Sequence, residues 1–147
     1  MKRIPMRSKD LNVHSKVYAL EITKKDLIEQ LDDKIIMINK VPSFFWYEKR
    51  LVPTIKMLLE HSLLKQITVD MGAIKFIVGG ADVMRPGVLQ IDGEIKKGDF
   101  VEVRDVNNKR PLAVCIALFD AEEMQNLKSG KVLKNIHHVG DDVWNAT

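Results

Sequence analysis

The stretch DMGAIKFIVGGADVMRPGVLQI, residues 70–91, decides how the rest of the chain is read. Asp70 stands where an N-cap belongs, ahead of a short helix predicted over Met71 to Val78, with Gly79-Gly80 as its C-terminal stop. Met84-Arg85-Pro86-Gly87 is turn chemistry, Pro86 stiffening the loop, and Val88 to Ile91 resumes a strand. Gly72, Gly79, Gly80 and Gly87 permit tight turns and the close approach of a partner. The N–H groups that open the helix offer a place for phosphate. A glycine-walled groove with Lys75 and Arg85 at its margins suits a nucleic-acid backbone. A glycine-shaped barrel corner with no ligand fits the same residues.

Downstream, short strands recur with turns between them. Phe100, Val101, Val103 and Val106 lie in one, Asn107-Asn108-Lys109 makes a loop, and Leu112 to Leu118 reads as a fully apolar buried strand. Asp120 with Glu123 resembles a capping box that opens a single-turn helix, Ala121 to Leu127. Two last strands are expected, Lys131 to Leu133 and Asn135 to Val139. With Ile67-Thr68-Val69, this pattern predicts a small closed or nearly closed barrel over residues 67–147.

Upstream, residues 1–66 read as a small α+β unit. Ser8 is placed as the N-cap of a helix running to Leu20. Asp26 to Leu31, Lys34 to Asn39 and Ser43 to Tyr47 form an antiparallel meander, separated by Asp32-Asp33 and by Lys40-Val41-Pro42. Leu51, Ile55, Leu58, Leu59 and Leu63 have helical spacing, with Pro53 in the first turn of the helix they predict. The whole chain is therefore expected to be α+β, an α+β module followed by a small mixed β-barrel.

Charge divides along the same line. Residues 1–66 carry 13 Lys and Arg against 8 Asp and Glu, while residues 67–147 carry 10 against 12. Lys2, Arg3 and Arg7 cluster at the N-terminus, where a solvated tail and a phosphate-contacting arm are both open readings. The 147 residues are 46% hydrophobic and 29% charged, which excludes wholesale disorder and low-complexity architecture. No apolar run is long enough to span a bilayer, and no secretory leader is recognisable. A single cysteine, Cys115, forms neither an internal disulfide nor a zinc site alone. A soluble protein of a reducing, cytoplasmic compartment is expected.

Catalytic signatures are missing. The chain has no phosphate-loop, dinucleotide or nucleophile-elbow motif. His14, His61, His137 and His138 do not fall at zinc-ligand spacing. His137 and His138 are neighbours in a strand and face opposite sides, one inward on backbone and one outward. Cys115, within an apolar strand, is read as inert core. No catalytic residue, metal or cofactor is expected.

The residues quoted above resemble the PUA domain, the small RNA-binding barrel of pseudouridine synthases and archaeosine transglycosylases. Gly72 to Phe76, Gly80 to Val88, Ile95 to Val103, Pro111 to Val114, Glu123-Met124, Gly130, Asn135 to His138 and Trp144 carry the resemblance over about eighty residues, in the family's order. Phe44-Phe45, Pro53-Thr54 and Leu58-Leu59 are similar to the "pre-PUA" module found in the family of the protein named for multiple copies in T-cell malignancy. The absence of long insertions suggests an archaeal member.

That resemblance implies an RNA-binding factor acting on the small ribosomal subunit or on tRNA, in initiation or recycling, with a second translation factor as partner. RNA would lie between the Gly72 helix, the loop 79–88 and the last strand. Arg85 would pair with phosphate, helped by Lys75; Gly79, Gly80, Pro86 and Gly87 would shape the backbone path; His137 or His138 would bond or stack at the edge. Lys2, Arg3 and Arg7 would add charge to the acidic second half. Phe76, Val83, Leu112, Val114 and Trp144 are expected in the core. Two rivals remain: an RNA-targeting accessory domain for a tRNA-modifying enzyme, and a protein-interaction module that has lost RNA binding.

Overall fold

The computed structural model describes residues 2–146. Its first sheet is a five-stranded antiparallel meander, β1 (Arg3–Pro5), β2 (Ile28–Leu31), β3 (Ile35–Ile38), β4 (Val41–Tyr47) and β5 (Arg50–Pro53), paired in chain order. Short turns connect β2 through β5, three residues long after β2 and two residues long after β3 and after β4. Asp32-Asp33, Asn39-Lys40 and Glu48-Lys49 all take positive φ, the twist that suits adjacent right-handed strands. The second separator is thus Asn39-Lys40, and Val41 and Pro42 belong to β4. A register shift opposite Met37 accommodates Pro42, whose ring has no N–H to give the ladder.

Side chains alternate along these strands, and both faces are buried. Ile28, Ile36, Phe44 and Leu51 pack with Leu11 and Ile22 on one side. Leu31, Ile35, Met37, Phe45 and Val52 pack on the other. The first side is closed by α1 (Ser8–Ser15), followed by one 3-10 turn at Lys16–Tyr18. Arg7, not Ser8, is the N-cap residue, and it makes no side-chain capping bond. The predicted helix from Leu51 is also displaced. Leu51 to Pro53 extend in β5, where neighbouring residues bury into opposite cores, and only α2 (Ile55–Leu58) is helical. Thr54 caps it, its hydroxyl accepting from the Met57 N–H at 3.1 Å.

The second sheet has six strands in the order β7 (Val83–Met84), β11 (Lys131–His138), β10 (Pro111–Ala117), β9 (Phe100–Asp105), β6 (Lys65–Val69), β8 (Val88–Ile91). It is mixed: β6 runs parallel to β9 and every other pair is antiparallel. Edge residues Val83 and Val88 share one core with Ile67, Val103, Cys115 and Leu133, so the sheet curls around a single interior. The one-turn α3 (Ile74–Ile77) and α4 (Ala121–Asn126) contribute Ile77 and Met124 to it. The two last predicted strands are one continuous β11. The capping box at Asp120 does not form, because its carboxylate instead accepts from the Lys97 N–H at 2.8 Å.

The two sheets pack directly. In β10, Ala113, Cys115 and Ala117 face the curled interior, while Val114 faces Phe45, Ile55 and Leu58 of the first sheet and its helix. This double burial is why the strand reads as a continuous apolar run. Arg50 fastens the rim, with its guanidinium 3.9 Å over the Phe100 ring and donating to the Gly98 carbonyl at 2.9 Å.

Candidate nucleic-acid interface

Asp70 ends β6 and turns the chain. Its carboxylate accepts from the Ala73 N–H at 3.0 Å, capping a 3-10 turn (Met71–Ala73) that runs on into α3. Its own N–H donates to the Gly87 carbonyl at 3.0 Å, which ties the helix start to the loop after β7. That closeness needs glycine: a Cβ at Gly87 would stand 3.2 Å from the Ala73 methyl. Gly80 takes φ +95°, and a Cβ there would lie 3.1 Å from His138 Nε2.

Between these pieces lies a groove of about 670 Å³. Gly72, Ala73 and Phe76 form one wall; Val83, Met84, Pro86 and Gly87 form the other; Asp82 and Lys131 close one end. The rim is apolar and open to solvent. Phe76 is 60% exposed and Met84 50%. Phe76 is therefore a surface ring, against the expectation of a core residue. On one turn of helix, Ile77 takes the inward position and its neighbour is turned out. Val83 and Val114 are core as expected, and Leu112 and Trp144 are half-buried.

The other sequence-predicted residues divide. Lys75 is exposed beside the groove, with its ammonium 5.4 Å from the centre of the Phe76 ring. Gly79 closes the helix, where a Cβ would meet the Lys75 carbonyl at 3.3 Å. Arg85 is a brace. Its Nε donates to the Met124 carbonyl at 2.8 Å, a terminal nitrogen donates to the Val88 carbonyl at 3.1 Å, and its N–H donates to the Gly130 carbonyl at 2.8 Å. Two of its three guanidinium nitrogens are thereby committed to the protein's own backbone. His137 is fully buried and meets Phe45 edge-on at 5.3 Å, so it is removed from any surface that RNA can reach. His138 is half-buried beside Gly80, its Nδ1 3.0 Å from the Val139 carbonyl.

Lys2, Arg3 and Arg7 do not line the groove. They belong to the first sheet's edge, where Arg3 pairs with Glu29 at 3.6 Å and Arg7 with Asp10 at 3.1 Å. Sequence reasoning missed Met84, Asp82 and Lys131. Asp82 is the pivot of the groove's closed end. It pairs with Lys131 at 2.9 Å and accepts from the Asn135 N–H at 2.8 Å. Burial opposes its charge, yet these contacts hold its carboxyl below the ordinary range. Cys115 is wholly buried in the curled core, and burial pushes its thiol far up, which disfavours the thiolate. Among the described residues, no helix is long and apolar enough to cross a membrane.

Comparison with known proteins gives this geometry a context. The PUA domain family matches residues 65–139, and a family described as a domain of unknown function (DUF1947) matches residues 7–61. Uncharacterized protein MJ1432 of Methanocaldococcus jannaschii is 45% identical over 115 residues, covering 78% of this chain and 71% of that protein. Translation machinery-associated protein 20 of Saccharomyces cerevisiae is 30% identical over 135 residues, covering 84% and 75%. Among solved structures, hypothetical protein PH0734.1 from Pyrococcus horikoshii superposes with a TM-score of 0.82 at 34% identity, over 97% of this chain and 98% of that one.

Proposed function

The chain belongs to the PUA-domain family, and on that premise we propose that it is a non-catalytic RNA-binding translation factor whose groove beside Phe76 holds RNA on the small ribosomal subunit or on tRNA. The observation that carries this reading is the exposed ring of Phe76 over an open apolar groove, with the exposed ammonium of Lys75 5.4 Å from the ring centre. An unpaired base stacks on such a ring whatever its identity, and the lysine meets the phosphate that follows. Glycines at 72 and 87 keep both walls low enough for a sugar-phosphate backbone to come close. Kinship to translation machinery-associated protein 20 supports a ribosomal setting. Arg85 serves by holding the loop's shape, and the basic surplus of residues 1–66 adds the long-range attraction that the acidic second half lacks.

Co-sedimentation with archaeal small ribosomal subunits at about 0.15 M salt tests this reading, with bulk tRNA as competitor. Pelleting with subunits that tRNA does not displace is the expected result. Protein left in the supernatant with both RNAs would contradict the assignment.

A further inference from the structure

A second cleft, of about 570 Å³, opens where the turn after α2 overhangs the second sheet, and it shares no residue with the groove beside Phe76. Its floor is set by strand periodicity. Glu102 and Arg104, two residues apart on β9, line the same cleft, with Gln66 of β6 in register beside Glu102. The β9–β10 connection brings in Lys109 and Arg110, and Glu60, His61 and Ser62 form the overhang.

Three cations and two carboxylates therefore line this cleft, and the cations are held in no ion pair. Among the described residues, no carboxylate lies within ion-pair distance of the charged nitrogens of Arg104, Lys109 or Arg110. The Nε of Arg104 is buried and has no hydrogen-bond partner among the described residues. A buried donor left unpaired is costly. The backbone around it is firmly held, since Asp105 accepts from the N–H groups of Asn108 at 2.6 Å and Lys109 at 3.1 Å. Lys109 itself takes φ +54°. Two carboxylates oppose the cations: Glu60, which is exposed, and Glu102, which is 3% exposed and bonded to Gln66 Nε2 at 3.4 Å.

We propose that this cleft is a phosphate-binding site, in which Arg104, Lys109 and Arg110 together receive either a phosphodiester of RNA or the phosphate of a small molecule. A guanidinium presents its donors in a plane that matches two phosphate oxygens, and a flanking lysine and arginine supply the remaining charge. Glu102 sets a limit on the affinity by facing the same space. Burial pushes its carboxyl up to about 6, with Arg104 and Gln66 pulling the other way, so most of its charge persists at neutral pH.

Amide NMR titrations of the 15N-labelled full chain test the site, one with inorganic pyrophosphate, one with a short oligouridylate, and one with sodium chloride at matched ionic strength. Saturable shifts confined to residues 61–62 and 104–110 are expected with pyrophosphate or oligouridylate and not with chloride. Saturation by pyrophosphate alone assigns the site to small phosphates; saturation by the oligonucleotide assigns it to RNA backbone. The double variant Lys109→Gln, Arg110→Gln alters exposed residues only and is expected to weaken binding about tenfold or more. Glu102→Gln keeps a partner for Gln66 and is expected to tighten it several-fold. Phe76→Ala, in the other groove, should leave these shifts unchanged, which separates this site from the RNA reading above. Shifts that grow linearly, equal those with chloride, or persist undiminished in the double variant would overturn the proposal.

Discussion

His137 Nε2 accepts a hydrogen bond from the Ile55 backbone N–H at 3.1 Å, joining the last strand of the second sheet to the helix that follows the first. An accepting Nε2 places the ring proton on Nδ1, which donates to Asp141 at 2.9 Å. A neutral, buried imidazole thus satisfies an otherwise orphaned helix N–H and a carboxylate at once. His137→Ala leaves the Ile55 N–H unpaired and a cavity against Phe45. It is expected to lower unfolding free energy by about 2–4 kcal/mol. Urea unfolding followed by far-UV circular dichroism measures this, and a loss below 1 kcal/mol would remove the bond from the account.

Asp141 gathers three donors: His137 Nδ1 and the N–H groups of His138 and Trp144 all reach its carboxylate within 3.0 Å, His137 touching both oxygens. Burial raises its pKa and these bonds lower it, the bonds prevailing, so the group is held at about 2 against an ordinary 3.8. A folded pKa below the unfolded one stabilises above pH 4 and loses that contribution as pH falls toward 2. Acid titration should show this loss between those limits, on the order of 1 kcal/mol once solvent screening of the half-buried carboxylate is allowed for. Asp141→Asn should be less stable at neutral pH and should show a flatter acid limb.

Gly80 and Gly98 both have strongly positive φ, +95° and +90°, but only Gly80 has a neighbour in the way. Alanine at Gly98 carries the backbone cost alone, about 1–2 kcal/mol. Alanine at Gly80 adds pressure on the His138 ring, which is anchored to the Val139 carbonyl. Gly80→Ala is expected to cost about 1 kcal/mol more than Gly98→Ala in thermal unfolding. Equal costs would mean that the His138 ring moves freely.

The order of these features was legible in the sequence to different depths. Asp70 as a cap and the glycine-walled loop were readable because capping and tight turns are local chemistry. The helix expected from Leu51 was not, because a strand buried on both faces presents apolar residues at helical intervals as readily as a helix does. Arg85 read as a phosphate ligand since its acceptors, Met124 and Val88, come from elements that only folding brings beside it. Strand alternation required one of His137 and His138 to turn inward without saying which; the choice of His137 rests on its partner Ile55, which lies 82 residues away and leaves no trace in spacing. The outward turn of Phe76 depends on which of two adjacent apolar residues a one-turn helix buries, a choice made by the curled core around Ile77.

The exposed ring of Phe76 bears most of the functional argument, so its removal is the most direct test. Binding of a fluorescently labelled single-stranded RNA should be measured by anisotropy for the natural chain and for Phe76→Ala at about 0.15 M salt. Because the ring is 60% exposed, the variant should keep its urea midpoint. Loss of one stacked base should weaken RNA affinity roughly tenfold. Equal affinity for the two proteins, with both folded, would contradict the assignment of RNA to this groove.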